Sequence, residues 1–136
     1  MTLSHTEVAV GTTLSFRKTM TVAEQAMFTG ISGNLGPLYV DALKAKAAGA
    51  DNMVVFELAA TSLVTTALSR IGGPSRRIAK IEVDYPAPIF VGDSIEASAE
   101  VVAVHQDTVL CRLRGTRLPG GDLVFEGNAT LAPLRG

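Results

Sequence analysis

Over the last third of the chain, apolar and polar residues alternate with a period of two. In Ser94–Val104, isoleucine, alanine and valine alternate with glutamate and serine, and the same period continues through Thr108–Leu118 and Leu123–Leu131. This pattern is typical of strands with one covered face. Turn-forming residues separate the segments, namely His105-Gln106-Asp107 and Pro119-Gly120-Gly121-Asp122. We therefore predict that these three strands are antiparallel neighbours.

The amino-terminal half shows helical rather than strand patterns. Val54–Ile71 consists almost entirely of apolar or small residues, with Glu57 as its only acid. A helix of this composition should be buried on most of its faces. Thr21 and Glu24 have the spacing of a capping box, which predicts a helix that ends near Thr29. A second short helix is predicted over Asp41–Ala48, before the stop signal at Gly49.

Two more strands complete the predicted elements. Glu7–Thr19 is rich in threonine and valine and favours a strand or an irregular β-arm, and Ile78–Tyr85 favours a strand after the long helix. A long buried helix beside a mainly antiparallel sheet is an α+β layer architecture. We expect one domain over residues 1–136, because a chain of this length forms one hydrophobic core.

Composition and charge exclude several classes of function. The chain has 12 basic and 13 acidic residues, a net charge of −1, and so gives no electrostatic basis for binding nucleic acid or an anionic membrane. Its single cysteine, Cys111, falls on the inward face of a strand, and no His/Cys set has the spacing of a metal site. The amino terminus lacks a secretory signal pattern, and no apolar run reaches 18 residues. A cytoplasmic protein without a metal is expected.

One segment carries a longer motif, which runs from Phe28 to Asp41. It reads Phe28-Thr-Gly-Ile-Ser32-Gly-Asn-Leu-Gly-Pro37-Leu-Tyr-Val-Asp41 and resembles the signature loop of the MaoC-like, (R)-specific enoyl-CoA hydratases, a hotdog-fold family. That family has Phe, three residues, Ser-Gly-Asp, one residue, Asn-Pro, one residue, His, one residue, Asp. The turn Pro88–Asp93 is similar to the family's Pro-Val-x-x-Gly-Asp turn. The resemblance implies a curved antiparallel sheet wrapped around one long central helix.

The same resemblance implies a catalytic dyad, and the chain departs from the family at both of its positions. Family members use the Asp and the His of the motif to hold a water and move its proton, whereas Asn34 and Tyr39 stand here, with Gly36 in place of the family's Asn. An amide does not exchange protons usefully near neutral pH, and an unperturbed phenol is a poor base. Losing one such group usually costs roughly 10²–10⁴ in rate. Asn34 and Tyr39 are therefore predicted to position substrate or water, and Gly36 and Pro37 are predicted to bind substrate. A packing aromatic that lines the loop is the other interpretation of Tyr39.

The start of the central helix is the second place where the family comparison matters. Aligning Ser62-Leu63 with the family's Ser-Leu places Phe56 and Glu57 where those enzymes have His-Gly. There a backbone amide polarises the thioester carbonyl, because free amides and the helix dipole favour developing negative charge. Phe56 is thus a candidate substrate contact and Glu57 a candidate proton-transfer residue. An exposed helix start or an ion pair at a dimer contact is the other interpretation of Glu57.

The sequence and the family resemblance are compatible with three functions. The first is a hydratase or dehydratase of acyl-CoA or acyl-carrier-protein thioesters, with a rebuilt site. The second is a hotdog thioesterase using Glu57, and the third is a non-catalytic acyl-CoA-binding protein or the degenerate subunit of a heterodimeric dehydratase. Arg76 and Arg77, near Lys80, could meet coenzyme A phosphates. Coenzyme A enters only as part of the substrate, since the glycine-rich segments do not match cofactor-binding spacings. The resemblance also implies a homodimer.

Overall fold

A computed structural model of the chain describes residues 8–135. Five antiparallel strands form one sheet in the spatial order β1-β3-β4-β5-β2. They are β1 (Thr13–Thr19), β2 (Arg76–Asp84), β3 (Ser94–His105), β4 (Thr108–Leu118) and β5 (Asp122–Pro133). The predicted β3–β4 and β4–β5 hairpins are confirmed. The first predicted strand begins later than expected, at Thr13, and Glu7 lies outside the described residues.

Short helices cover one side of the sheet. They are α1 (Val22–Ser32), α2 (Pro37–Val40), α3 (Ala42–Ala47), α4 (Glu57–Thr61) and α5 (Val64–Gly72). The capping box of α1 is confirmed, since Thr21 Oγ1 accepts from the Ala23 amide at 3.2 Å and Glu24 accepts from the Thr21 amide at 2.6 Å. The helix extends three residues beyond the predicted Thr29 and ends where Gly33 adopts φ 73°. Within residues 8–135, no helix has the length and apolarity needed to cross a membrane.

The central helix differs from its prediction in where it begins. The sequence predicts helix from Val54, but Val54 forms a β-bridge with Phe90, and the Val55 amide donates to the Ile89 carbonyl at 2.7 Å. Helix therefore begins only at Glu57. Val54, Val55 and Phe56 are buried in an extended segment. A short apolar run is expected in a buried strand as well as in a buried helix, so the pattern does not distinguish the two.

The central helix is also broken and one-sided. A turn at Ser62-Leu63 separates α4 from α5, and Ser62 Oγ donates to the Ala59 carbonyl at 2.5 Å there. Such hydroxyl bonds to backbone carbonyls often bend helices. Most residues of Val54–Ile71 are buried, as predicted, but one face is not: Leu58 is 67% exposed, and α5 is exposed at Thr65, Thr66, Ser69 and Arg70.

The core lies between this helix and the inner face of the sheet. The predicted alternation is confirmed, because the inward residues of β3 and β4 are fully buried, namely Ile95, Ala97, Ala99, Val101, Val109, Cys111 and Leu113. Small side chains on β3 allow the helix to approach closely. Register shifts in β2, β3 and β5 bend the sheet around it. The result is the predicted α+β fold, a curved antiparallel sheet wrapped around a central helix.

Candidate functional site

Four segments meet at the start of the central helix and form what we call the helix-start corner: α1, the loop 33–36 with α2, the extended residues 54–56, and α4. Aromatic rings hold the corner together. Tyr39 stacks on Phe56 with ring centroids 4.6 Å apart and planes at 9°, and Phe28 packs on Phe56 at 4.9 Å. This places the residues of the signature loop beside the first turn of the helix.

Tyr39 and Glu57 form a direct hydrogen bond in this corner. The Tyr39 hydroxyl donates to Glu57 Oε1 at 2.9 Å and lies 3.3 Å from Oε2. Both residues are half-buried. Burial raises the pKa of Tyr39 above its ordinary value, and the hydrogen bond to Glu57 and its charge act in the same direction. Tyr39 therefore stays protonated near neutral pH and acts as a hydrogen-bond donor rather than a base.

A cavity of about 230 Å³ opens beside Glu57. Its wall is mostly apolar, and the two polar side chains in it are Glu57 and Tyr85; the full lining is Val55, Glu57, Tyr85, Ala87, Pro88 and Ile89. The Tyr85 hydroxyl is hydrogen-bonded to Thr61 Oγ1, which donates to the Glu57 carbonyl at 2.8 Å. A mostly apolar cavity with a few converging polar groups is the usual form of a small-molecule site.

The predicted turn Pro88–Asp93 forms part of the wall of this cavity. Asp93 Oδ2 accepts from the Phe90 amide at 2.8 Å, and Gly92 adopts φ 103°, a conformation that favours glycine. Arg117 pairs with Asp93 at 3.2 Å and also donates to the Pro88 carbonyl. The motif therefore has a structural role, which is to hold the cavity wall against the end of β4.

Asn34 shapes the loop and lies on its exposed side. Its side-chain Oδ1 accepts a hydrogen bond from the backbone amide of Gly36 at 2.8 Å, and its backbone amide donates to Ser32 Oγ at 3.2 Å. A Cβ on Gly36 would lie 3.0 Å from that Oδ1 and 3.4 Å from the Tyr39 ring, so glycine lets the loop close tightly. Pro37 begins α2, the usual place for proline in a helix. The structure thus brings Gly36 and Pro37 beside Tyr39.

Gln25 is a residue of the corner that the sequence analysis did not identify. It is 4% exposed and hydrogen-bonded to backbone atoms of three residues, namely Tyr39, Val54 and Phe56. A glutamine on a surface helix is ordinarily exposed, and no local pattern separates this one from an exposed residue. Only the packing of distant segments reveals it.

Arg76 and Arg77 lie away from the corner. They begin β2, after the far end of a helix that runs 16 residues from Glu57 to Gly72, or roughly 20 Å at the rise of an α-helix. The Arg76 guanidinium donates to the carbonyls of Asp107 and Gly72 at 2.9 and 3.2 Å. Lys80 pairs with Glu82 at 2.8 Å. Within one chain the basic cluster and Glu57 are therefore separate.

Among the described residues, no group of three His, Cys, Asp or Glu side chains is arranged to hold a metal ion. Among residues 8–135, the corner holds the carboxylate of Glu57, the phenol of Tyr39 and the backbone amides at the start of α4, and the phenol of Tyr85 lines the adjoining cavity. These groups can donate and accept hydrogen bonds. Phe56 precedes that helix and provides no side-chain cap for it.

Comparison with known proteins identifies the family and the fold. The MaoC-like domain matches residues 5–112. Two curated relatives are (R)-specific enoyl-CoA hydratases: that of Rhodospirillum rubrum is 24% identical over 96% of this chain and 92% of its own length, and that of Aeromonas caviae is 27% identical over 95% and 98%. The solved structure of an (R)-hydratase from A. caviae involved in PHA biosynthesis superimposes with a TM-score of 0.87 at 25% identity, over 93% of this chain and 98% of that one. This chain therefore belongs to the MaoC-like domain family.

Proposed function

We propose that this protein is a hydro-lyase that adds water to the 2,3-double bond of an enoyl thioester, or forms that double bond by removing water from a 3-hydroxyacyl thioester. The single observation that carries the proposal is the hydrogen bond between Tyr39 and Glu57 at the edge of a cavity large enough for the reacting part of a substrate. The names of the curated relatives, (R)-specific enoyl-CoA hydratase, support coenzyme A thioesters as substrates.

In this proposal the proton chemistry belongs to Glu57 rather than to the dyad implied by the resemblance. Asn34 and Tyr39 stand in the dyad positions, and neither is suited to accept a proton. Glu57 would take a proton from water while the water oxygen bonds to C3, and the electron pair of the double bond moves toward the thioester. Return of that proton to C2 completes the addition of one water and regenerates the carboxylate.

The remaining residues of the corner have positioning roles in the same scheme. Tyr39 donates to Oε1 of Glu57 and so directs the other carboxylate oxygen for water. The backbone amides of the first turn of α4 would stabilise negative charge on the thioester oxygen, since these amides lack partners within the helix. Phe56 and Pro37 contribute apolar surface beside them, while Asn34 and Gly36 keep the loop closed.

The test measures loss of the conjugated enoyl thioester and release of free thiol in parallel, with a panel of 2-enoyl-CoA and saturated acyl-CoA substrates. We expect enoyl loss without thiol release. Glu57→Gln should reduce the rate of enoyl loss by a factor of roughly 10²–10⁴. Glu126→Gln removes an exposed carboxylate from β5 and is the matched control, with an unchanged rate. Full activity of Glu57→Gln would refute the proposed role of Glu57.

A second function shares the same observation, because a carboxylate beside a cavity can also activate water at a thioester carbonyl. Thiol release that disappears in Glu57→Gln would establish this thioesterase function instead. The double variant Asn34→Asp with Tyr39→His restores the family motif in the loop. If only that variant hydrates enoyl thioesters, the natural protein is a binding protein, the degenerate half of a heterodimer, or an enzyme for a substrate outside the panel.

We also propose a homodimer, joined through the edge strand β2. Within residues 8–135 this strand pairs with β5 alone, and its residues Ile78 and Ile81 are 39% and 41% exposed. An edge with exposed apolar residues and unpaired backbone groups favours pairing with another strand. A second copy is also what could bring Arg77 toward the phosphates of a bound coenzyme A. Light scattering should give twice the mass of the chain, and Ile81→Asp should reduce it to that of a monomer.

A cytoplasmic location belongs to the same proposal. Cys111 is a free thiol buried in the core, which agrees with a reducing compartment.

A further inference from the structure

We propose that Gln25 is a positioning residue that holds Tyr39 against Glu57. This inference rests on the proposed function, because it assigns a role to Gln25 in organising the same pair. Gln25 Nε2 donates to the Tyr39 carbonyl at 2.7 Å and to the Val54 carbonyl at 2.9 Å, and its Oε1 accepts from the Phe56 amide at 3.1 Å. One side chain thus joins the segment that carries Tyr39 to the segment that leads into Glu57.

The burial of this amide is unusual for the molecule. Among the described residues, the buried polar side chains are Gln25 and Thr61, at 4% and 6% exposure. Burying an amide costs free energy unless its hydrogen bonds are made, and here both donors and the acceptor are engaged. An apolar residue of the same size would fill the space without aligning the two segments. The amide therefore has a role beyond packing.

The placement of α1 makes Gln25 a suitable anchor. Gln25 directly follows Glu24 and lies one turn after the N-cap Thr21, and the capping box that Thr21 and Glu24 form fixes the start of the helix. Its bonds reach backbone atoms, so they constrain the paths of both segments. Rings on those segments add to the constraint, since Tyr39 stacks on Phe56. Loss of the amide would free the Tyr39 segment to move relative to Glu57.

The expected kinetic consequence is a change in turnover with little change in substrate affinity. Gln25 is absent from the lining of the cavity beside Glu57. A displacement of about 1 Å in a catalytic group can reduce a rate roughly 100-fold. We therefore expect Gln25→Met to lower kcat of hydration by roughly 10- to 100-fold while KM changes less than about threefold. Gln106→Met is the matched control, because Gln106 lies in the exposed β3–β4 turn.

A spectroscopic measurement tests the same inference without any substrate. The chain contains two tyrosines and no tryptophan, so in a Tyr85→Phe background the ultraviolet absorbance of tyrosinate reports on Tyr39 alone. Contact with Glu57 contributes to the raised pKa of Tyr39. Gln25→Met should therefore shift the titration midpoint down toward that of an ordinary tyrosine, as should Glu57→Gln. Gln106→Met should leave it unchanged.

The outcomes separate this inference from the proposed function. An unchanged Tyr39 midpoint in folded Gln25→Met would overturn the positioning role, whatever the enzyme activity. A lowered midpoint would support it even if Glu57→Gln hydrates normally, a result that would refute the proposed function alone. If Gln25→Met does not fold, hydrogen exchange on the unaltered protein tests whether the Gln25 side-chain hydrogen bonds persist in solution. The Gln25 side-chain amide protons should then exchange much more slowly than those of Gln106, and equal rates would overturn the inference.

Discussion

The inner face of the sheet and the helix-start corner are both buried, yet they are built from different chemistry. On β3 and β4 the buried side chains are aliphatic apart from the thiol of Cys111. In the corner, by contrast, the amide of Gln25 and the hydroxyl of Thr61 are buried, and Tyr39 and Glu57 are half-buried beside them. The two regions therefore differ in the polarity of their buried side chains more than in the extent of burial. The apolar region maintains the fold, and the polar region is suited to chemistry.

The energetics of burial explain why this distinction is informative. An aliphatic side chain gains free energy when it leaves water, whereas a buried polar group at best recovers what its desolvation costs. The polar atoms of the corner are matched by partners, as in the bonds from Tyr39 to Glu57 and from Thr61 to the Glu57 carbonyl. A cluster of this kind is costly to maintain for stability alone, so its presence beside a cavity favours a functional role.

The largest expected effect breaks the sheet while leaving the corner intact. Gly127 of β5 lies so close to β2 that a Cβ on it would be 1.8 Å from the Glu82 carbonyl oxygen. We expect Gly127→Ala to lower the free energy of unfolding by about 3 kcal/mol, since backbone must move to admit the methyl group. Chemical denaturation measures this loss.

Gly120→Ala is the control for that experiment, because a Cβ at Gly120 would have its nearest neighbour at 3.7 Å. We expect a change within about 0.5 kcal/mol for this variant. The Tyr39 titration midpoint should be the same in both variants while they are folded. A shifted midpoint in Gly127→Ala would mean that the geometry of the corner depends on the packing of β5 against β2. The sheet and the corner would then not be independent.

An intermediate effect concerns the thiol of the inner face. Burial raises the pKa of Cys111 from 9.0 to about 11. Because the folded state disfavours the thiolate, the stabilisation is present below pH 9 and is lost as the pH rises from 9 to about 11. The free energy of unfolding should fall by about 2 kcal/mol over this range through Cys111. The free energy of unfolding of Cys111→Ala should fall less steeply with pH than that of the unaltered protein. If the two proteins show the same pH dependence, ionisation of Cys111 is not its cause.

The smallest expected effect loosens the start of α1 and leaves the contacts between Tyr39 and Glu57 in place. Thr21→Ala removes the side-chain cap of the helix that carries Gln25. We expect about 1 kcal/mol less stability, the usual cost of losing such a cap. The kcat of hydration should stay within about threefold of its original value, because the three bonds of Gln25 remain. Thermal denaturation and steady-state kinetics on the same preparation check both expectations, and a loss of kcat as large as that of Gln25→Met would argue against a specific role for Gln25.

The sequence by itself determined the antiparallel neighbours β3, β4 and β5, the start of α1 and the family. Alternation in Ser94–Val104 and in Thr108–Leu118 encodes which face is covered, and the spacing of Thr21 and Glu24 encodes a helix start. These features are local, since burial pattern and capping depend on residues close together in the chain. The candidate residues Tyr39 and Glu57 were also identifiable, because they occupy motif positions of the family.

The tertiary structure alone decided how those residues meet. Tyr39 and Glu57 are 18 positions apart, and their hydrogen bond depends on the packing of α2 against α4. The same packing leaves Val54 in a β-bridge instead of a helix and buries Gln25 beneath both segments. Arg77 resembles a site residue in sequence yet begins a strand beyond the far end of the helix. Contacts between distant segments depend on how whole elements pack, and no local pattern of residue types specifies that geometry.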